Sequence, residues 1–385
     1  MRDMIDYKDK TECSGCYACV NACKVKCISM KVDEEGFCYP IVDASRCVNC
    51  GKCADCCPSV GETVFNNRDV QAYAAINKNE KIRRDSSSGG IFSALAQYVI
   101  SQRGIVFGAT FNKENHLEQI YVEHDEDLCK LRGAKYLQSQ MGDCYKDAHN
   151  FLEEGRMVLF TGTPCQIAGF KKFLGRDYVN LLCVDIICHG VPSPKVWEHY
   201  LNYREKLANS KAEYINFRFK KSGWKRYSMC IKYKNQRKYI KRFYNDTYMN
   251  GYLANLFLRP SCYNCKFKTK KRISDITLGD FWGVENILPD MDDDKGISLV
   301  FIHSEKGENL FSNIIPYIKC ESVDPDKAIE YNLSMVQAPS MPSARHEFIS
   351  EVNDTNCEAL LLRYGPKRPA FAKKLTKKLI RLVKK

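Results

Sequence analysis

Eight cysteines near the amino terminus fall into two runs of the same spacing. Cys13, Cys16, Cys19 and Cys23 form Cys-x-x-Cys-x-x-Cys-x-x-x-Cys, and Cys47, Cys50, Cys53 and Cys57 repeat it position for position. A 4Fe-4S cubane takes one thiolate at each iron. Where a chain carries two of them, three cysteines close in sequence wrap one cluster and the fourth crosses to the other. That rule assigns Cys13, Cys16, Cys19 and Cys57 to one centre, and Cys47, Cys50, Cys53 and Cys23 to a second. Two departures stand out: Lys24 rather than proline follows Cys23, and Cys27 and Cys56 are spare thiols close enough to compete as ligands. A zinc ribbon or a disulfide knot is the alternative, although zinc sites take two pairs of ligands and not two runs of four.

Four more cysteines sit at turns further along: Cys165 in Thr-Gly-Thr-Pro-Cys-Gln, Cys188 in Ile-Ile-Cys-His-Gly, and the pair Cys262 and Cys265. On spacing alone, inert core thiols or a structural zinc account for them as well as a redox centre does.

The elements that hold these residues change character after residue 62. Residues 1–62 are expected to form a compact α+β, ferredoxin-like module with an internal two-fold, its Ile28 to Val42 stretch breaking at Glu35-Gly36 as a hairpin does. From Val70 onward helices and strands alternate. Ile91 to Ser101, Cys144 to Glu154, Cys165 to Leu174 and Pro194 to Leu207 have helical patterns, and Gly104 to Thr110, Met157 to Phe160 and Val179 to Cys188 have strand patterns. Such βαβ spacing predicts an α/β body over residues 70–345 with a mainly parallel sheet, and residues 211–243 predict an antiparallel extension of it.

A chain of 385 residues is expected to fold as two or three domains. Of its 21 cysteines, 11 lie between Cys13 and Cys57 with no apolar leader ahead of them, which points to metal or redox ligands in a reducing cytoplasm. No apolar run approaches the roughly 20 residues that span a bilayer. The formal net charge is +13, and nine basic residues with no acid lie between Lys367 and Lys385. Within residues 366–385, Phe371, Leu375, Leu379, Leu382 and Val383 recur at helical spacing. This tail is expected either to contact an anionic membrane face peripherally or to dock on the body. No nucleic-acid-binding module is recognisable, so a nucleic-acid partner is not expected.

The runs Ser87-Ser88-Gly89-Gly90-Ile91, Gly133-Ala134-Lys135-Tyr136, Thr163-Pro164-Cys165-Gln166, Cys188-His189-Gly190, Cys262-x-x-Cys265 and Ser274-Asp275-Ile276-Thr277-x-Gly279 follow one another along the chain. In that order they resemble the coenzyme F420 hydrogenase/dehydrogenase beta-subunit family across residues 80–305. The resemblance implies a third 4Fe-4S cluster on Cys165, Cys188, Cys262 and Cys265, beside a flavin adenine dinucleotide (FAD). It also implies hydride exchange with the deazaflavin coenzyme F420 or reduction of another organic substrate.

No Gly-x-Gly-x-x-Gly is present, so the flavin has to be held by other means. Ser87, Ser88, Gly89 and Gly90 directly precede a helix whose positive end suits a pyrophosphate, unless Ser88 merely caps it. Lys135 and Tyr136 offer a cation and an aromatic face, or an ordinary surface pair. Thr161 and Thr163 end a strand, and Asp280 and Trp282 lie in Gly-Asp-Phe-Trp-Gly, where they either line a pocket or plug the core. His189 is the candidate proton donor, because imidazole titrates nearest neutrality; a histidine that holds its turn is the alternative. The expected route runs from reduced ferredoxin or a similar donor through the clusters to FAD and an organic substrate, or in reverse. An electron-transfer subunit without a catalytic site of its own is the competing expectation.

Overall fold

The computed structural model describes residue 5, residues 9–61 and residues 64–366. The basic tail expected over residues 366–385 lies outside the described residues except for Pro366.

In the first segment each cysteine run ends in a short helix, α1 (Ala18–Ala22) and α2 (Lys52–Asp55), and strands β1 (Ile28–Val32) and β2 (Cys38–Val42) pair antiparallel between them. The hairpin turn is closed by Asp33, whose Oδ1 accepts from the N–H groups of Glu35 and Phe37 at 3.0 and 2.9 Å. The repeat extends to the backbone. Gly15 and Asn49, then Tyr17 and Gly51, all take left-handed conformations at matching places in the two runs.

The body follows with β3 (Gln71–Asn77), α3 (Glu80–Asp85), α4 (Ile91–Ser101), β4 (Ile105–Phe111), β5 (Leu117–Val122), α5 (Leu128–Leu131), α6 (Cys144–Glu153), β6 (Val158–Gly162), α7 (Pro164–Leu174), β7 (Leu181–Ile186) and α8 (Pro194–Ala208). Next come β8 (Ala212–Phe219), β9 (Ser228–Tyr233), β10 (Lys238–Arg242), α9 (Thr247–Leu253), β11 (Ile276–Asp280), α10 (Val284–Ile287), β12 (Ser298–Ile302), α11 (Glu305–Ile314), β13 (Ile318–Val323), α12 (Pro325–Glu330), α13 (Arg345–Glu351) and α14 (Cys357–Tyr364). Local chemistry sets the helix starts. Thr163 and Gln166 form a capping box on α7 with Pro164 at its first position, and Ser193 accepts from Val196 N–H at 3.2 Å to start α8.

Eight strands form one mixed sheet in the order β13-β3-β12-β11-β7-β6-β4-β5. Its centre, β11-β7-β6-β4, is parallel as the βαβ spacing predicts, while both flanks are antiparallel. The expected antiparallel extension over 211–243 instead forms a separate three-stranded sheet, β10-β9-β8. The physical reason is its own apolar face: Phe217, Met229 and Ile231 pack face-on into a core with Trp197, Tyr200 and Tyr248, which Phe111 of β4 and Leu117 of β5 also join, rather than pairing by hydrogen bonds with the large sheet.

Strands β3, β4, β6, β7 and β11 all run the same way. Ligands of open α/β sheets gather beyond such carboxyl ends. Here that end presents Ser87 to Gly90 after β3 and α3, Thr163 and Cys165 after β6, Cys188 and His189 after β7, and Trp282 after β11.

Candidate redox site

The eight cysteines grouped by spacing line two cavities, and the four grouped by the family resemblance line a third. Cys13, Cys16, Cys19 and Cys57 line one. Cys23, Cys47, Cys50 and Cys53, together with Cys27, line another. Cys165, Cys188, Cys262 and Cys265 line the third, with Thr163, His189, Lys268 and Arg272 in its wall. All twelve are free thiols. Among the described residues no three Cys, His, Asp or Glu side chains converge on one point, so these cysteines border spaces and do not close on each other.

The cavities stand in a row. Helix α1 separates the first two, with Cys19 inside it and Cys23 at its carboxyl cap. Ser14 and Ser59 belong to the walls of both the Cys13 and the Cys165 cavities. Helix α7 joins the same pair: Cys165 lies in its first turn, and one turn on, a Cβ at Gly169 would stand 2.8 Å from Cys16 Sγ. Glycine is therefore a packing requirement at 169. Gly169→Val should force the first segment away from α7, lowering stability by about 1–3 kcal/mol and loosening whatever the Cys16 cavity holds; thermal melting and metal retention of the purified chain check it.

Cations surround the inner cavities. Arg259, at 0 % exposure, donates to Cys13 O at 2.8 Å and Cys38 O at 3.0 Å and approaches Cys13 Sγ at 3.6 Å. Lys268 donates to the Cys188 carbonyl and to Ser334 O. Arg272 donates to Phe267 O and Met335 O at 2.8 and 3.1 Å, and its Nε is buried with no partner. Burial pushes the Cys165 thiol up to about 12 and raises those of Cys13, Cys188 and Cys262. Arg259 opposes the rise at Cys13 and Cys165, and Lys268 and Arg272 oppose it at Cys188, so positive charge stands beside these sulfurs.

The residues singled out for a flavin form a connected line. Ser87 Oγ accepts from Ala134 N–H at 2.5 Å, which ties the serine loop to the turn bearing Lys135 and Tyr136. Lys135 Nζ donates to the carbonyls of Leu131, Arg132 and Gly133 at 3.2, 3.1 and 3.2 Å. Burial brings its amine down to about 7. Tyr136 stacks on Tyr252 at 4.8 Å and stands beside the Arg218 guanidinium. Tyr252 in turn meets His189 edge-on at 5.1 Å, which leads back to Cys188. Asp280 pairs with Arg218 at 2.9 Å and accepts from Trp224 Nε1 at 2.9 Å, and Trp282 lies parallel on Trp224 at 4.9 Å.

Other members of the set are tied elsewhere. Gly89 N–H donates to Ser298 Oγ at 3.0 Å, and a Cβ there would meet Ala75 O at 2.3 Å, so Gly89 faces the sheet. Ser88 Oγ donates to Ile297 O at 2.6 Å, and Gly90 caps α4 without a side-chain acceptor. Thr161 Oγ1 donates to Phe107 O at 2.7 Å, and Thr163 Oγ1 lies 3.1 Å from Cys165 Sγ, in the cysteine wall. His189 Nε2 is buried without a partner, and burial beside Lys268 lowers its imidazole. Sequence reasoning missed Arg218, Tyr252, Arg259, Lys268 and Arg272.

Residues 72–145 match the amino-terminal region, and residues 155–328 the carboxyl-terminal region, of the coenzyme F420 hydrogenase/dehydrogenase beta subunit. The chain belongs to that beta-subunit family. Its similarity to the coenzyme F420-dependent sulfite reductase of Methanocaldococcus jannaschii is 23% identity over 310 residues, 78% of this chain and 46% of that protein. The beta-subunit chain thus spans about half the length of the curated relative it matches. A chain of the F420-reducing NiFe hydrogenase complex from Methanosarcina barkeri, in a xenon-derivatised structure, aligns with a TM-score of 0.44 and 18% identity over 71% of this chain and 90% of that one. No helix among the described residues is long and apolar enough to cross a membrane.

Proposed function

We propose that this beta-subunit family member is an iron-sulfur flavoprotein oxidoreductase, moving electrons between a low-potential donor and an organic substrate. The observation that carries the reading is the row of three cysteine-lined cavities leading to the Tyr136–Tyr252–His189 contact. Cys23, Cys47, Cys50 and Cys53 would hold the outer 4Fe-4S cluster, Cys13, Cys16, Cys19 and Cys57 the middle one in a ferredoxin-like segment, and Cys165, Cys188, Cys262 and Cys265 the inner one. The fit rests on four or more thiols per cavity and on the cations Lys268 and Arg272 in the wall of the inner one. Such clusters supply single electrons, and FAD supplies the conversion to a hydride.

The chain's own residues do the positioning. Arg259 fixes the Cys13 loop on the body, and α7 sets the spacing of the middle and inner cavities. Arg218, whose Nη2 pairs with Asp280 and whose Nε is buried without a hydrogen-bond partner, and Lys135 offer positive charge to a cofactor phosphate, as do the first N–H groups of α4, which no side chain caps. Ser87, Ser88, Gly89 and Gly90 shape that end of the site, with Thr161, Thr163, Asp280 and Trp282 behind it. His189, beside Tyr252, is the group from which a proton reaches the substrate. Lys135 makes cofactor retention pH-dependent: its free amine loses its proton near 7, whereas a phosphate beside it favours the charged form. Retention should fall as pH rises past about 7, and Lys135→Met should flatten that slope in a flavin-release titration.

Electrons enter at the outer cavity, where Cys50 is exposed. Val25 and Val48, 37% and 63% exposed, are flanked by exposed Lys24, Lys26, Arg46 and Lys52, a surface that suits an acidic carrier such as reduced ferredoxin. Lys24→Glu with Lys52→Glu should raise the KM for ferredoxin about tenfold at low salt and converge on wild type at high salt.

Anaerobic purification followed by iron, acid-labile sulfide and flavin analysis tests the whole reading. About twelve irons per chain, and a flavin bleached by reduced ferredoxin then reoxidised by substrate, are the expected results; material without iron or flavin overturns it. The length of the curated relative favours a second reading, an electron-transfer subunit whose catalysis lies on a partner chain. Flavin that bleaches and reoxidises only in the presence of such a partner identifies it.

A further inference from the structure

The outer cavity holds one thiol more than a cubane takes. Cys27 lines it with Cys23, Cys47, Cys50 and Cys53, and its Sγ lies 3.4 Å from Cys23 Sγ. The other spare thiol behaves differently. Cys56 directs its Sγ to the Cys53 carbonyl at 3.4 Å and borders a neighbouring cleft instead. Between Cys23 and Cys27 the chain doubles back, with Lys26 N–H donating to Cys23 O at 3.1 Å and Lys26 at a φ of 51°, and the two sulfurs return to the same side. A cubane takes one thiolate per iron, and its four ligand sulfurs diverge toward the corners of a tetrahedron. Two sulfurs in van der Waals contact therefore face a single corner.

Resting on the cluster reading above, we infer that Cys23 and Cys27 are interchangeable ligands for one iron of the outer centre. One sulfur holds the corner as thiolate while the other stands beside it as a neutral thiol, hydrogen-bonded to it. Exchange is a ligand substitution without electron transfer. One iron–sulfur bond breaks as the other forms, and the proton of the incoming thiol passes to the departing thiolate. Lys24 fits this arrangement, because a proline after Cys23 would fix the backbone torsion there, and lysine leaves the turn free to bring either sulfur forward.

The test uses the full chain, prepared anaerobically as Cys23→Ala, Cys27→Ala, the double variant, and Cys56→Ala as a control outside the cavity. Iron content and the low-temperature EPR spectrum of the reduced protein are read, neither of which needs turnover. Both single variants and Cys56→Ala should keep the wild-type iron content, and the double variant should lose one third of it together with one EPR component. Valine, which refills the space that alanine leaves empty, replaces alanine at either position where the smaller variant does not accumulate. If one single variant alone loses the centre, or if the double variant keeps it, the inference is overturned while the cluster reading stands. A wild-type chain that takes up no iron overturns both.

Discussion

Arg259→Leu should uncouple the amino-terminal segment from the body and destabilise the chain by about 3–5 kcal/mol. The guanidinium is fully buried and serves three acceptors, Cys13 O, Cys38 O and Gln138 Oε1, at 2.8, 3.0 and 2.9 Å. It also lies over the Tyr39 ring at 4.3 Å. Leucine removes every donor and leaves the buried Cys13 carbonyl and two part-buried acceptors unpaired, and an unsatisfied buried acceptor costs about 1–3 kcal/mol. The damage is directional, because these contacts join the Cys13 loop and the β1–β2 hairpin to the segment that carries Cys262. Arg259→Lys keeps the charge but not the fork, and it should recover only part of the loss. Denaturant midpoints of the three proteins, read beside the rate at which the body centre is reduced after the outer ones, check both halves of the expectation. A leucine variant with wild-type midpoint and rate would show that the segment is held by other contacts.

Where chemistry depends on spacing, the sequence was a good guide. Motif spacing alone grouped the same two sets of four amino-terminal cysteines that line two of the cavities, while the third set came together through the family resemblance. Helix α4 begins and ends at Ile91 and Ser101, as its apolar pattern predicts. Non-local pairing was less visible. Strand β3 pairs with β12 and β13, more than two hundred positions away, and no local pattern announces such partners or the antiparallel flank they create. The second sheet was legible as strands but not as a separate layer, since that depends on what Phe217 and Met229 pack against. Single residues were the hardest. Arg259, Arg218 and Gly169 act through contacts with distant segments, and one arginine or glycine carries no periodic signal. Cys27 was visible as a spare thiol, but only the place of its sulfur beside that of Cys23 tells it apart from Cys56.

The inner cysteine pair separates a redox centre from a set of core thiols. Cys262→Ala with Cys265→Ala should lower iron from about twelve to about eight per chain, abolish turnover with the external donor, and leave the outer centres reducible. The argument is positional. Cys262 and Cys265 share a cavity wall with Cys165, Cys188 and His189, between the Cys13 cavity and Tyr252, so their loss interrupts the row at the link closest to the substrate end. Structural damage should be small by comparison. Both residues lie in a loop segment between α9 and β11 and are only partly buried, and Cys262 Sγ accepts one weak bond from Val191 N–H at 3.4 Å. Cys230 and Cys357 provide the contrast, because both are fully buried, Cys357 in the aromatic core around Trp197 and Tyr248 and Cys230 within β9. Alanine at either should lower stability by about 1–2 kcal/mol, as loss of a small buried side chain does, and leave iron untouched. If the core variants lose iron, or the double loop variant keeps both iron and turnover, then the inner four are packing thiols and the electron path lies elsewhere.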